Sequence, residues 1–380
     1  MLLNRIAVKL AFFLNGFVFA NWVSRLPRIQ EQYQADNKTI GLILLALSLG
    51  AVTAMPFTGW LIIKNGSRKI SLVSLFIYCA FVPFIPFMAG IASLFMLFIV
   101  LGISTGMLDV AMNAQAVMVE RAYKKPIMTS FHAFWSIGMA MGALCGALFA
   151  DLQMGLPLHL TIVSAISLAF VVWVRGNLVE DKPDMADVPD GPLFRMPNRA
   201  LFSVGIIAFC CMLAEGAISD WSVLYMEKIS LSSKAVAPLA LAAFATAMTL
   251  GRLIGDRFRA WWGDKKLIVS GGLLSTTGLA VALSIPLPYV SIFGFFLVGL
   301  GLSTIVPITY SIAGNAKGLP SGVGLAMVTT VGYSGFLFGP PLIGFISDLS
   351  SLRIALLLVA VLLVLMTIVG FTRKATNSAK

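Results

Sequence analysis

Twelve apolar stretches, separated by charged or Pro/Gly punctuation, dominate this chain. A helix of about 20 residues, rising ~1.5 Å per residue, covers the hydrocarbon of a bilayer, so each stretch is long enough to span one. The first six run over about 6–28, 40–63, 70–89, 93–119, 127–150 and 156–175, and the second six over about 199–226, 236–258, 266–286, 290–316, 321–346 and 352–372. A composition that is 59% hydrophobic and only 11% charged leaves little sequence from which to build a soluble domain. We therefore expect an all-α membrane protein.

Only Gly176 to Pro197, rich in Asp and Pro, resembles a linker. It divides the chain into an N-terminal six-helix bundle (1–175), a linker (176–197) and a C-terminal six-helix bundle (198–380). With the N-terminus placed in the cytoplasm, that side receives all of the 27 Lys and Arg residues except Arg25, Arg28, Lys38, Lys228, Lys234 and Arg353; Arg252, Arg257 and Arg259 count among its loop charges. Cytoplasmic loops accumulate Lys and Arg, so both termini and the linker are expected to be cytoplasmic, in a bacterial-type inner membrane. The net charge of +11 is then topological, and no nucleic-acid partner is expected.

The halves repeat. FIVLGIST, ending at Thr105, matches FLVGLGLST, ending at Thr304, and Asn21-Trp22 matches Asp220-Trp221. Both matches have the same offset of 199 residues, which argues for a duplication. Units of six spans keep the same orientation in the membrane, so the expected fold is twelve transmembrane helices in two parallel six-helix repeats.

Acids inside these spans are the leading functional candidates, because an ionised carboxylate in hydrocarbon must face water, find a partner or take up a proton. Asp109 lies near the middle of the fourth span, with Asn113 one turn on and on the same helical face. Glu215 lies near the middle of the seventh span and Asp220 five residues further out, about 140° around the helix, as a possible gate partner for Arg25. Asp109, Glu215 and Asp220 are the candidate proton-coupling residues, although helix pairing is an alternative use of a membrane acid. Asn113 either contacts substrate or bonds to a neighbouring helix.

His132, Asn15, Trp22, Trp221 and Tyr310 are further candidates for contacting a substrate, with side-chain packing as the alternative for each. Gly138, Gly142 and Gly146, like Gly335, Gly339, Pro340 and Pro341, permit close approach and bending of the fifth and eleventh spans. The four cysteines all fall inside apolar spans without metal-ligand spacing, and two histidines do not support a catalytic or metal constellation. No nucleotide-binding GxxxxGKS/T motif occurs, so ATP is not the direct energy source. Neither an enzyme nor a channel explains duplicated halves with sparse central acids. A secondary transporter does.

The loop GWLIIKNGSRK, Gly59 to Lys69, resembles the cytoplasmic signature of the major facilitator superfamily at Gly59, Gly66, Arg68 and Lys69, with Ile63 where the signature has Asp. The second-half counterpart GRLIGDRFRAWWGDKK keeps Gly255, Asp256 and Arg257, and a charge lock there would rest on Asp256 and a neighbouring Arg. LDVAMN, Leu108 to Asn113, resembles the fourth helix of the fucose/proton symporter group; Val23 stands near that group's first-helix acid. EGAISDW resembles the seventh helix of other bacterial members of the superfamily. The resemblance implies the major facilitator fold, a proton-coupling role for Asp109 and a sugar contact for Asn113. The expected function is proton-coupled uptake of a sugar-like or other polar solute, with proton-driven efflux of an apolar compound as the alternative. The expected partners are a small-molecule substrate, protons and the lipid bilayer, the expected state is a monomer, and no cofactor or metal is expected.

Overall fold

The computed structural model describes residues 1–124, 127–180, 199–314, 316 and 321–373. Among them every regular element is helical: α1 (Leu2–Val23), α2 (Leu26–Gln32), α3 (Asn37–Asn65), α4 (Ser67–Phe81), a 3-10 turn (Val82–Phe87), α5 (Ile91–Tyr123), α6 (Met128–Asp151), α7 (Leu156–Asn177), α8 (Arg199–Lys228), α9 (Pro238–Ser284), α10 (Pro288–Leu302), α11 (Ile305–Gly314), α12 (Ser321–Leu349) and α13 (Leu352–Thr372). Eleven stretches are long and apolar enough to cross a bilayer, and the 29-residue α12 completes the twelve spans. The linker expected at 176–197 lies outside the described residues from position 181 on.

Proline explains where helices depart from the expected stretches. A Pro lacks the N–H that would bond the carbonyl four residues back, and its ring crowds that carbonyl. Pro27 accordingly ends the first helix at Val23 and starts α2, Pro83 and Pro86 fall in the 3-10 turn, and Pro307 follows the break between α10 and α11 at Ser303–Thr304. The run α9 merges two helices across the non-helical Gly263, the first carrying the span Pro238–Gly255. Gly263 has φ 75° and Gly66, which separates α3 from α4, has φ 81°. Only glycine adopts these values without strain, and the pair marks the same loop in both halves.

Helices α1 and α3–α7 pack into one group and α8–α13 into another. The groups meet along two symmetric seams, α3 against α12 and α6 against α9. In a duplicated chain each seam is the copy of the other, as parallel repeats require. Within the first group, α6 lies so close to α1 that a Cβ on Gly138 would collide with the Phe13 carbonyl, which gives the Gly138–Gly142–Gly146 spacing its packing role. Outward-facing side chains such as Phe57, Val172, Val361 and Phe371 are well exposed, as a surface meeting lipid requires.

One end of the seam is closed by direct contacts. There, Arg28 of α2 pairs with Glu227 of α8, and Asn37 at the start of α3 donates to Ser347 of α12 (2.8 Å) and accepts from Lys228 (3.1 Å) and Gln30 (2.9 Å). A turn further along, α3 and α12 touch backbone to backbone: a Cβ on Gly41 would stand 2.8 Å from the Pro340 oxygen and 3.1 Å from Gly344 Cα.

Candidate functional site

Between the groups lies a cavity of about 330 Å³, walled by α1, α3, α5 and α6 on one side and by α8, α9, α11 and α12 on the other. A second cavity of about 240 Å³ shares His132, Arg252, Val306 and Tyr310 with it and continues to Met128 and Arg259, away from the closed end. Volumes of this order suit a small solute.

All three expected acids line the cavity, and each is treated differently. Asp109 of α5 accepts from Asn113 Nδ2 at 3.3 Å, and the same nitrogen bonds the Asp109 carbonyl at 2.8 Å. Its other carboxyl oxygen accepts from the Tyr333 hydroxyl of α12 at 3.3 Å, so this bond crosses between the groups. Glu215 of α8 is ion-paired with Arg252 of α9 at 3.2 Å, and Arg252 also donates to Ser136 of α6 at 2.6 Å. Asp220 is 8% exposed and, among the described residues, makes no hydrogen bond or ion pair.

Asn15, His132 and Tyr310 line the cavity as the sequence suggested. Trp22 and Trp221 do not: both rings are fully buried inside their own groups, Trp22 against Phe19 and Phe98 with its N–H on the Tyr78 hydroxyl. Rings at these positions serve packing because a large apolar area is worth more in the bundle interior than at a hydrated wall. Asn113 does not line the cavity either, because its amide is spent on Asp109. The expected Asp220–Arg25 gate is absent among the described residues. Arg25 instead donates to the Met154 carbonyl (2.8 Å) and meets His159 Nδ1 (3.3 Å), while His159 Nε2 lies 2.8 Å from Asn21 Oδ1.

Two residues escaped the sequence reading. Arg252 counted as a loop charge, yet it reaches into the cavity and neutralises Glu215; a basic residue more than three turns inside an apolar helix was the available signal. Tyr333 sits in α12 beside Gly332 and Gly335, and nothing in its spacing announces a bond to the other half.

The signature loop is rearranged around the missing acid. With Ile63 in place of Asp, Arg68 pairs with Glu180 beyond α7 at 2.7 Å and donates to the Arg175 carbonyl at 2.9 Å. Gln115 pins the adjoining strand of chain, bonding Ser67 Oγ and both backbone groups of Val179. Gly59 has open space around it and Lys69 lines a surface groove. In the second half, Gly255 packs against Thr304 and Arg257 is exposed, while the Asp256 side chain, and with it the expected lock, lies outside the described residues. The ion pair present there is Arg259–Asp264 at 2.7 Å. Among the described residues no cluster of His, Cys, Asp and Glu has the arrangement of a metal site.

Comparison with known proteins agrees with this architecture. The sequence profile of the Major Facilitator Superfamily matches residues 9–319. An uncharacterized MFS-type transporter of Yersinia pestis is 36% identical over 376 residues, covering 98% of this chain and 96% of that one. The membrane protein MosC of Rhizobium meliloti is 32% identical over 357 residues, covering 93% and 86% respectively. The crystal structure of the nucleoside transporter NupG superposes with a TM-score of 0.76 at 14% identity, covering 98% of this chain and 100% of that one, a likeness of fold. The chain belongs to the Major Facilitator Superfamily and is a multi-pass membrane transporter of that fold.

Proposed function

We propose that this transporter carries a small polar solute across the cytoplasmic membrane by alternating access, in the direction of uptake, driven by a proton bound and released at Asp109. The observation that carries this reading is the Tyr333–Asp109 bond between α12 and α5. Rocking the two groups apart breaks that bond, and protonation turns one carboxyl oxygen from an acceptor into a donor. Proton occupancy and conformation therefore act on the same contact. Asn113 holds the carboxyl in place. The Arg252 side chain, joined to Glu215 and to Ser136 of the other group, is a second link of the same kind. Asn15, His132 and Tyr310 face the solute.

The charge distribution supports cytoplasmic termini, with residues 176–197 as a cytoplasmic linker between bundles 1–175 and 198–380. A cysteine at Asp36 then labels with an impermeant reagent added outside cells and one at Lys64 does not; the reverse pattern inverts the topology.

The test of the function uses whichever solute stabilises the purified protein in a panel of sugars, nucleosides, amino acids and drugs. In vesicles, Asp109→Asn is expected to lose accumulation driven by a pH gradient and to retain exchange of labelled for unlabelled solute. Undiminished accumulation removes Asp109 as the proton carrier. A second reading, efflux of an apolar compound, is favoured by Phe12, Phe19, Met55, Met112 and Phe336 in the cavity wall; it predicts that only the apolar members of the panel stabilise the protein.

A further inference from the structure

We propose that Asp220 is the solute's anchor and that the solute class is a small organic amine, bound as the cation. The inference rests on the central cavity being the transport site. Its first support is the inventory of acids in that cavity. Glu215 has Arg252, and Asp109 has Asn113 and Tyr333, whereas Asp220, more than nine-tenths buried, has no partner among the described residues. A carboxylate inside a membrane span without a partner costs several kcal/mol, so the site is completed by something from the cavity.

The duplicated chain supplies an internal control. Position 21 is the equivalent of position 220, and there Asn21 is fully buried and satisfied on both sides, by the Phe17 carbonyl (2.8 Å) and by His159 (2.8 Å). Its neighbour Trp22 likewise donates to Tyr78, while the equivalent Trp221 N–H is buried without a partner among the described residues. The first half thus shows what a structural residue looks like at this place in the helix. Asp220 lacks that local support and faces the cavity instead.

Charge balance then selects the ligand. Among the described residues, three acids and a single arginine line the cavity, and that arginine is committed to Glu215 and Ser136. A neutral polyol donates hydrogen bonds to Asp220 but leaves the excess negative charge in place; an ammonium group supplies both donors and charge. Trp135, Tyr310 and Tyr333 add ring faces that attract a cation.

The experiment is a thermal-shift and binding titration of the purified full-length protein with matched pairs, 2-phenylethylamine against 2-phenylethanol and glucosamine against glucose. The amine of at least one pair is expected to stabilise the protein more than its neutral partner. Asp220→Asn, which installs the residue the first half uses, is expected to weaken that amine about 10- to 100-fold, the range for a lost charged hydrogen bond, and to leave its neutral partner unchanged. Asp220→Glu keeps the preference, and Asp220→Ser replaces Asp220→Asn if that variant fails to fold. Stabilisation by neutral partners alone, no shift with either amine, or an amine shift that survives loss of the acid overturns the proposal. Asp109→Asn is expected to keep the preference for the amine over its neutral partner, and that preference is expected still to require Asp220. Undiminished gradient-driven accumulation by Asp109→Asn, with intact, Asp220-dependent amine binding, would therefore sink the proton reading and leave this one standing.

Discussion

Arg28 and Glu227 form an ion pair across the two helix groups, and they stand 199 residues apart. That is the offset relating Trp22 to Trp221 and Asn21 to Asp220. Two equivalent positions of a duplicated chain can touch only where the axis relating the copies passes between them. The pair therefore sits on the pseudo-two-fold axis at the closed end, where no other ion pair among the described residues joins the groups. Opening this end has to break it.

Arg28→Ala and Glu227→Ala should each favour the conformation open at this end, by about 1.5–3 kcal/mol for the lost charged hydrogen bond. A cysteine at Ser48, in the cavity wall, should then react faster with a reagent added from the Arg28 side. Exchanging the charges, with Arg28→Glu and Glu227→Arg together, should restore the wild-type rate. If the exchanged pair behaves like the single variants, the charge pair is not what holds the end shut.

Arg252→Ala leaves Glu215 buried opposite no charge, and breaking such a pair from one side costs about 3–5 kcal/mol. A large fall in melting temperature is expected. Adding Glu215→Gln should recover most of it, because the acid that lost its partner is then neutral. Absence of recovery would show that Arg252 acts through Ser136 and the α6–α9 seam instead.

Bulk at the α3–α12 crossing should block closure without preventing folding. A valine at Gly41 has no room against Pro340 and Gly344, and this clash falls between the two groups rather than inside either of them. We expect Gly41→Val to express and to remain monodisperse, with transport lost and Ser48→Cys permanently reactive from the Arg28 side. Normal transport by Gly41→Val would mean that this contact is not made during the cycle.

Asp36 caps α3 at the closed end, accepting from the Thr39 backbone N–H at 2.7 Å. Hydrogen bonds from Thr39, its side chain first and its backbone second, hold the Asp36 carboxyl below its ordinary value. A depressed folded-state value stabilises the fold above the unfolded value and is lost as pH falls through the acidic range. Asp36→Ala is expected to cost about 0.5–2 kcal/mol near neutrality. The difference from wild type should vanish in strong acid. A cost that persists there would assign it to packing.

Much of this was legible from the chain because a bilayer imposes length and polarity rules that few sequences satisfy by chance. The spans, the shared face of Asp109 and Asn113 and the close approach at Gly138 all follow from helical period and hydropathy. What escaped depends on where side chains point between helices distant in sequence. Arg252 looked like a loop charge because its helix continues almost unbroken into the basic loop before Gly263. Trp22 and Trp221 looked like stacking rings because nothing local distinguishes a ring facing a cavity from one facing a core. The isolation of Asp220 is a property of its neighbours, visible only beside the satisfied Asn21 of the other half.

The most direct measurement of the account is the distance between spin labels on opposite groups at both ends, in the reconstituted protein at acidic and alkaline pH. Labels at Glu31 and Leu231 report the closed end, and labels at Lys64 and Arg257 the other; all four positions are exposed. The account predicts two populations whose distances change in opposite senses, Glu31–Leu231 lengthening as Lys64–Arg257 shortens, with proportions that shift with pH in wild type and no longer do so in Asp109→Asn. Distances that stay single at both ends, or that lengthen together, contradict alternating access; a pH response surviving in Asp109→Asn contradicts the role of that acid.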